Sequence, residues 1–411
     1  MLKNMNAKTL LGSTVGVAII AGYAVMQDLG SDFTFFFDTA MPFAAADATD
    51  KIPAIQINTR HHYHQRLATQ LATGEGAGGV VAVDARFVGA FVNARRFENL
   101  SDPAYDAAAL AGGRADQAWQ QGQDAKGNQY AIPVNVGPRV MYYRRDVLAS
   151  IGAEIDDVVG SWESYIDYGR ALKDQGIYLV GDAADAADVI INASIQDGEG
   201  LYFDAEGHSL LTSVRFVAAF QTARTIREEG LDGQISAWST EWYDAFAQGT
   251  VATQVSGAWL LGHLQSWMPL ESGDLLGASH LPNGLQGAWG DSFLAIPKEA
   301  DDKQAAWGFI QYLLDSEETT LSGLKTTGAC TVVKGALDSV NVDAEMARAE
   351  SQYARGPVVE VVQIAATAAP MDRDLIAKDI VDAALDDVLI NGKGIMTALA
   401  EADSRLALAL R

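Results

Sequence analysis

The sequence predicts an α/β protein built of two lobes. Segments with the pattern of β-strands alternate along the chain with segments of helical periodicity, which is the order of elements in α/β folds. A chain of 411 residues is longer than one compact hydrophobic core usually organises. Hydrophobic residues make up 49% of the sequence, which is too much for a disordered chain. We therefore expect a folded chain divided between two cores.

The first half of the chain carries short strand signals and one clear helix. Runs rich in β-formers occupy residues 33–37 and 55–57. Residues 65–73 have helical periodicity and stop at Gly74. Residues 80–83 are small or β-branched and follow a glycine cluster, which predicts a strand buried on both faces.

The second half carries clearer helix boundaries. Ser161 is a preferred N-cap, and the helical pattern that follows it ends at Gly176. The further predicted elements are a strand at 140–143, a helix at 301–318 and a helix with an apolar stripe at 376–389 that stops at 391–392. Because strands separated by helices usually run parallel, we expect mainly parallel sheets.

Composition excludes several classes of function. The chain has 53 acidic and 29 basic residues, for a net charge of −24, and this charge repels nucleic acid. A single cysteine makes neither an intramolecular disulfide nor a multi-thiolate metal site. The sequence contains no GxGxxG after a strand, no GxxxxGK[ST], no HExxH and no GxSxG. We expect no cofactor.

The first 31 residues have the form of an export signal. Lys3 and Lys8 precede an uncharged, largely apolar run at 9–27, as in a secretory signal peptide. The run is also close to the shortest membrane-spanning helix, so a retained N-terminal anchor is the alternative. No cysteine lies near the end of this segment, which excludes the usual lipid attachment.

Four stretches of the sequence occur in an order and at a spacing that are typical of one family. They are AIPVNVGPRVMYYRRDV at 131–147, WESY and LKDQG within 162–176, FAQGTVATQVSGAW at 246–259, and WGDSFLAIP and AAWGFI within 289–310. Together they resemble the family 1 extracellular solute-binding proteins, the maltose-binding-protein-like sugar-binding components of bacterial ABC importers. The tryptophan often found in that family's first strand–helix loop is absent, and Phe36, Phe37 and Asp38 stand there instead.

The resemblance implies a two-lobed periplasmic-binding-protein fold of type II. Each lobe is then discontinuous, and crossover hinge strands join the two. The expected N-terminal lobe comprises 32–136 and 290–327, and the C-terminal lobe comprises 137–289 and 328–411. A ligand would bind in the cleft between the lobes, which closes by a hinge motion.

A sugar ligand needs aromatic platforms for its flat C–H faces. Trp259 follows a Ser-Gly turn outside any apolar stripe and corresponds to the family's platform tryptophan, and Trp289 lies at the second expected crossover. Trp238 and Trp242 flank the start of a predicted helix. Each of the two is a candidate platform, with core packing as the favoured alternative.

A sugar's hydroxyl rim needs planar polar side chains. Asp84 ends the predicted strand at 80–83, where α/β ligand sites gather, and Arg86 follows two residues later. The other polar candidates are Asp38, Asn135, Asp291 and Arg373. For each of them the alternative is an N-cap, a turn or a surface ion pair.

Two motifs indicate metal binding only weakly. His61, His62 and His64 are close in sequence, but in a helix only the first and last share a face, and no acidic or thiolate residue is adjacent. Tyr142 and Tyr143 resemble the tyrosine pair of ferric-binding proteins, but neighbouring residues of a strand point to opposite faces. We expect no metal ligands.

The expected function is capture of a mono- or oligosaccharide without chemistry. The protein would be a periplasmic monomer that delivers the sugar to an ABC-type membrane permease driven by a separate ATPase subunit. One alternative is an exported glycan hydrolase, since carboxylates such as Asp84, Glu241, Asp244 and Asp291 are available. The other is the same fold binding a metal, a polyamine or a phosphorylated solute.

Overall fold

A computed structural model describes the chain in segments. They are residues 32–35, 54–57, 63–74, 77–111, 116–136, 139–195, 199–237, 239–257, 260, 275–285, 287, 292–315, 330–331 and 373–411. The predictions made for the leader and for Asp38, Trp238, Trp259, Trp289 and Asp291 lie outside these residues. Of Asn135 only the backbone is described.

The described elements alternate between strands and helices. The strands are β1 (Asp32–Phe35), β2 (Ala54–Ile57), β3 (Val81–Asp84), β4 (Ala131–Val136), β5 (Arg139–Arg144), β6 (Thr253–Gly257), β7 (Leu276–Ser279), β8 (Ser292–Ala295) and β9 (Cys330–Thr331). The helices up to the middle of the chain are α1 (Tyr63–Thr73), α2 (Ala85–Asn93), α3 (Ala108–Ala111), α4 (Asp116–Gln121), α5 (Arg145–Ser150), α6 (Ile155–Val159) and α7 (Trp162–Lys173). The later helices are α8 (Ala183–Ala193), α9 (Val214–Glu228), α10 (Thr240–Gln248), α11 (Lys303–Asp315), α12 (Asp374–Leu389) and α13 (Ile395–Ala409).

The chain forms two compact units, each assembled from separate stretches of sequence. The first unit contains the described residues up to Val136 together with residues 260, 292–315 and 330–331. The second contains the described residues of 139–257, 275–287 and 373–411. Among the described residues, no helix is both long enough and apolar enough to cross a membrane.

The main sheet of the first unit has the strand order β3-β8-β4-β9. β8 runs antiparallel to both β3 and β4, so β3 and β4 are parallel to each other with β8 inserted between them. The prediction of mainly parallel sheets is therefore wrong for the described strands, of which only β1 and β2 pair in parallel. The reason is that β8 belongs to a later stretch of chain, which enters this sheet in the opposite direction after the chain has passed through most of the second unit.

The first unit has a core on each face of this sheet. Ala82, Ile132 and Leu294 face one side, where Trp307 and Ile310 of α11 cover them. Val81, Val83 and Phe293 face the other side, where Leu67 of α1 and Val88 of α2 are part of the same cluster. A strand covered on both faces needs apolar residues at every position, which explains the uninterrupted apolar run that predicted β3.

The second unit is built on a three-stranded sheet with the order β6-β5-β7. β5 lies in the centre, antiparallel to both neighbours, and all six of its residues are buried. Buried side chains of this sheet form one hydrophobic core together with the apolar faces of α7, α8, α9, α12 and α13. The adjacent Tyr142 and Tyr143 lie in this strand, as the strand pattern predicted.

Helix ends follow the capping residues of the sequence. The Oγ of Ser161 accepts a hydrogen bond from the backbone N–H of Ser164 at 2.9 Å, which fixes the start of α7. Beyond its end the chain turns at Gly176, whose φ is 74°, and Gly74 follows α1 with a φ of 76°. These boundaries confirm the predicted helices that begin near residues 162 and 65. Such helix ends can be predicted from sequence because a capping residue acts on groups only a few positions away.

Candidate functional site

Asp84 lies where β3 ends and α2 begins. It is the N-cap of α2 in an extended backbone conformation, and its Oδ1 accepts a hydrogen bond from the backbone N–H of Arg86 at 2.9 Å. An aspartate in this position satisfies one of the helix's unpaired N–H groups. The N-cap alternative named for this residue is thus correct, and it leaves the rest of the carboxylate available for a second partner.

That second partner is the side chain of Arg86. Its Nε donates to Oδ1 of Asp84 at 2.9 Å and its Nη2 donates to Oδ2 at 2.8 Å, so the ion pair is bidentate. The Arg86 side chain is 50% exposed, against 19% for Asp84. Burial alone raises the pKa of Asp84, but the charge and hydrogen bonds of Arg86 outweigh it and hold the pKa below its usual value. The carboxylate is therefore ionised at neutral pH.

An aromatic group lies beside this pair. The imidazole of His64 stacks on the ring of Phe87 with centroids 4.0 Å apart and an interplanar angle of 2°. Its Nε2 accepts a hydrogen bond from the backbone N–H of Asp84 at 3.1 Å. Burial, helped by the positive charge of Arg86 and opposed by Asp84, lowers the pKa of His64 to about 4, so the ring is neutral at neutral pH.

The register of the sheet aligns Asp84 with Asn135. Ser292 of β8 pairs with Asp84 of β3 on one side and with Asn135 of β4 on the other. Since neighbouring strands are about 4.8 Å apart, the backbones of Asp84 and Asn135 are separated by roughly 10 Å. Both residues lie near the carboxyl ends of strands that are parallel to each other, which is where ligands bind in α/β sheets. The structure thus brings these two predicted residues into one row at one sheet edge.

Ser292 and His64 are the residues at this edge that sequence reasoning missed as parts of a ligand site. Ser292 occupies the middle of the row and is partly exposed. Only the register of an inserted antiparallel strand identifies it. His64 was considered for metal binding alone, because its contact with Asp84 joins residues that are 20 positions apart. No local pattern in the sequence signals that contact.

Trp242 is a core residue of the second unit. Its side chain is only 2% exposed, and its Nε1 donates to Oε1 of Gln254, a neighbour on β6, at 2.7 Å. Ser239 caps the helix that carries it by accepting from the backbone N–H of Trp242 at 3.1 Å. A ring enclosed in this way has no face on which a sugar could stack. Trp242 therefore packs in the core, which was the favoured alternative for this residue.

Arg373 makes its described contacts inside the second unit. Its guanidinium lies over the ring of Phe203 at 4.0 Å, and its Nη1 donates to the carbonyl of Gly207 at 3.3 Å. These contacts join the start of α12 to a β-hairpin whose strands meet at the bridge between Phe203 and Ser209. Arg373 and the Asp84–Arg86 pair belong to different units.

The second unit has its own line of polar groups on α8. Asp182, Asp185 and Asp188 recur every three residues and so share one side of the helix. Asp182 pairs with Arg227, and Asp188 pairs with the buried Arg139 at the start of β5. No described residue forms an ion pair with Asp185. Burial first, and then the charges of Asp182 and Asp188, raise the pKa of Asp185 to about 8.

Comparison with known proteins gives the family of this chain. Residues 44–350 match the family model described as "Bacterial extracellular solute-binding protein". The arabinooligosaccharide-binding protein of Bacillus subtilis (strain 168) is 26% identical over 275 residues, which cover 62% of this chain and 60% of that protein. Alignments with the curated relatives span 34% to 60% of those proteins' length.

Solved structures of the same fold cover nearly the whole chain. The ABC transporter associated binding protein from B. animalis subsp. lactis Bl-04, in complex with beta-1,6-galactobiose, superposes with a TM-score of 0.72 at 17% identity, covering 92% of this chain and 97% of that one. UgpB from Mycobacterium tuberculosis, in complex with glycerophosphocholine, gives a TM-score of 0.72 at 18% identity, covering 93% and 99%. The chain has this α/β, two-lobed binding-protein fold and belongs to the family of bacterial extracellular solute-binding proteins.

Proposed function

We propose that this protein captures a mono- or oligosaccharide and delivers it, unchanged, to an ABC-type membrane permease. The observation that carries the proposal is the bidentate Asp84–Arg86 pair at the sheet edge shared with Asn135. Relatives with arabinooligosaccharide-binding and lactose-binding names support it. The ATPase that drives import would be a separate subunit, and the protein would act as a monomer in the periplasm.

The chemistry of the pair suits an uncharged polyol. A carboxylate supplies acceptors and a guanidinium supplies donors, which are the two complements that vicinal hydroxyl groups need. The charges of Asp84 and Arg86 cancel within the pair. An ionic solute would be favoured by a local field of the opposite sign, whereas a neutral sugar needs only directed hydrogen bonds.

The same geometry argues against glycan hydrolysis at this edge. A glycosidase needs one carboxylic acid that keeps its proton near neutral pH, together with a second carboxylate across the scissile bond. The pKa of Asp84 is lowered, and both of its oxygens accept hydrogen bonds from Arg86. Asp84 therefore cannot act as the general acid.

A phosphorylated solute is the second candidate ligand. The half-exposed guanidinium of Arg86 is the observation that favours it, because arginine binds phosphate through paired N–H donors. The UgpB structure in complex with glycerophosphocholine has the same fold. On this alternative, phosphate would compete with Asp84 for the guanidinium.

A thermal-shift screen separates these possibilities. The probes are arabinotriose, lactose, maltose and galactobiose, with glycerophosphocholine, spermidine and Zn²⁺ as the non-sugar set. A sugar at a hundredfold excess over its Kd should stabilise the protein by roughly 2.7 kcal/mol and be recovered intact. Stabilisation by glycerophosphocholine alone would favour the second candidate, and a cleaved sugar would contradict the capture function.

Replacement of Arg86 tests whether the site is at this edge. Arg86→Met should abolish the stabilisation by sugar while leaving the Oδ1 cap of Asp84 in place. Arg170→Met is the matched control, because Arg170 is 46% exposed and also forms a bidentate pair, with Glu229 in the second unit. Equal losses of sugar binding in the two variants would show that the effect is not specific to the Asp84–Arg86 pair.

A further inference from the structure

The start of α2 lacks one half of the usual capping arrangement. In a capping box the N-cap side chain accepts from a backbone N–H inside the first turn, and a Glu or Gln at the third helical position accepts from the backbone N–H of the N-cap. Asp84 performs the first half. The third helical position is Phe87, which has no acceptor. The backbone N–H of Asp84 therefore needs a partner from elsewhere.

His64 supplies that acceptor from a different helix. Its Nε2 lies 3.1 Å from the backbone nitrogen of Asp84, so the imidazole does what a glutamate at position 87 would do. The ring also stacks on Phe87, which occupies the helical position where a capping box has its Glu or Gln. For Nε2 to accept, the ring proton must be on Nδ1, which defines one tautomer of a neutral histidine.

The two halves of this cap fix the ion pair in space. His64 holds the backbone of Asp84, and the backbone N–H of Arg86 holds the Asp84 carboxylate, which in turn aligns the guanidinium. A shift of the Asp84 backbone would move every donor and acceptor that the pair offers to a ligand. Hydroxyl recognition is sensitive to such shifts because a misplaced polar group is left unsatisfied.

We propose that His64, as the Nδ1–H tautomer, is a positioning residue for sugar binding that acts through Asp84 and Arg86. This proposal rests on the function proposed above. The role is distinct from contact with the sugar, and it is also distinct from metal binding by the histidines at 61, 62 and 64.

Two substitutions of His64 separate its hydrogen bond from its stacking. His64→Gln keeps an acceptor close to the position of Nε2 and loses the stacked ring, whereas His64→Phe keeps a ring against Phe87 and loses the acceptor. Affinity for arabinotriose and lactose is measured by isothermal titration calorimetry, and stability by urea unfolding. We expect His64→Phe to weaken sugar binding about three- to tenfold, and His64→Gln to restore affinity to within about twofold of wild type.

The readouts distinguish failure of this proposal from failure of the proposed function. If Arg86→Met abolishes sugar binding while His64→Phe binds as wild type does, the positioning role is wrong and the function stands. If none of the sugars in the thermal-shift screen binds wild-type protein, the function fails, and the role assigned to His64 fails with it. A purely structural role would lower stability in both His64 variants without the difference in affinity between them.

A spectroscopic measurement on wild-type protein covers the case in which His64→Phe does not fold. In protein with ¹⁵N-labelled histidine, the imidazole resonances of His64 report which ring nitrogen carries the proton. The proposal requires the proton on Nδ1. A proton on Nε2 would overturn it, because a protonated Nε2 cannot accept from the backbone of Asp84.

Discussion

Asp84 makes two kinds of contact that are local in sequence and one contact that is distant in sequence. Its carboxylate caps α2 through the backbone of Arg86 and pairs with the Arg86 side chain, both of which are two residues away. Its backbone N–H donates to His64, 20 residues away. The end of a predicted buried strand was enough to single out Asp84 and Arg86. His64 could not be linked to them, because nothing in the sequence specifies how α1 packs beside α2.

Trp242 and Gln254 form a buried polar pair whose loss should cost stability. Trp242→Phe leaves the Oε1 of Gln254 without its donor and removes part of a ring that is 2% exposed. We expect the free energy of unfolding to fall by about 2–3 kcal/mol in urea titrations, with sugar affinity unchanged. Adding Gln254→Met should recover part of that loss, since it removes the Oε1 left without a donor, although the carbonyl of Val255 then loses the hydrogen bond from Nε2 of Gln254. Unchanged stability with lost sugar binding would instead assign Trp242 to the ligand.

Because of Asp185, the free energy of unfolding should fall as the pH rises from about 4 to about 8. Its pKa is raised by burial from 3.8 to about 8, so the folded protein retains a proton that the unfolded chain has lost between those values. The contribution of Asp185 to stability is thus complete below about pH 4 and falls as pH rises towards 8, by at most about 1.4 kcal/mol per pH unit.

Asp185→Asn removes this pH dependence. Compared with wild type, the variant should gain stability progressively in urea titrations from pH 4 to pH 8, with no further gain above pH 8. Asp379→Asn, at an exposed position on α12, is the control for the loss of one carboxylate. A constant difference between Asp185→Asn and wild type across this range would contradict the raised pKa.

At the scale of elements, helices were predictable and sheet direction was not. Ser161 and the glycines at 74 and 176 determine helix ends by local hydrogen bonding and backbone conformation, so the structure agrees with the pattern there. The order β3-β8-β4 depends on a strand whose sequence lies more than 150 residues beyond β4. The stretch that contains β8 was singled out only through its resemblance to the family, and its local sequence carries no information about the strand's direction or its neighbours.

Two hairpins have turns of the same kind, and each turn contains a glycine at a matching position. Asp124 and Asp204 each accept from the backbone N–H four residues on, and each turn has a glycine of positive φ, at 80° for Gly127 and 89° for Gly207. A Cβ on Gly127 would meet nothing within 4 Å, whereas a Cβ on Gly207 would lie 2.7 Å from Nη2 of Arg373.

Alanine at these glycines separates backbone strain from a lost contact. Gly127→Ala should cost about 1–2 kcal/mol because of its left-handed backbone alone. Gly207→Ala should cost roughly 1 kcal/mol more, because it also displaces the guanidinium from Phe203. In an Arg373→Ala background the two glycine substitutions should cost the same in urea unfolding. A difference that persists in that background would show that Arg373 is not its cause.

At the scale of the whole molecule, the first unit of an acidic protein carries a neutral charge pair. The chain carries a net charge of −24, yet the Asp84–Arg86 pair carries none. Family membership and fold were accessible from the order of four sequence stretches, because those stretches lie in elements whose sequence and spacing characterise the fold. The row formed by Asp84, Ser292 and Asn135 was not accessible, since it depends on strand register.

The proposed recognition of a neutral sugar at this edge of the sheet depends on directed hydrogen bonds. Titration calorimetry of wild-type protein with arabinotriose and lactose, at low and at high NaCl concentration, is its sharpest test. We expect saturable 1:1 binding of at least one sugar, with a Kd that changes less than about twofold between the two salt concentrations because a neutral ligand forms no ion pair. Absence of heat with both sugars, combined with salt-sensitive binding of glycerophosphocholine, would contradict it.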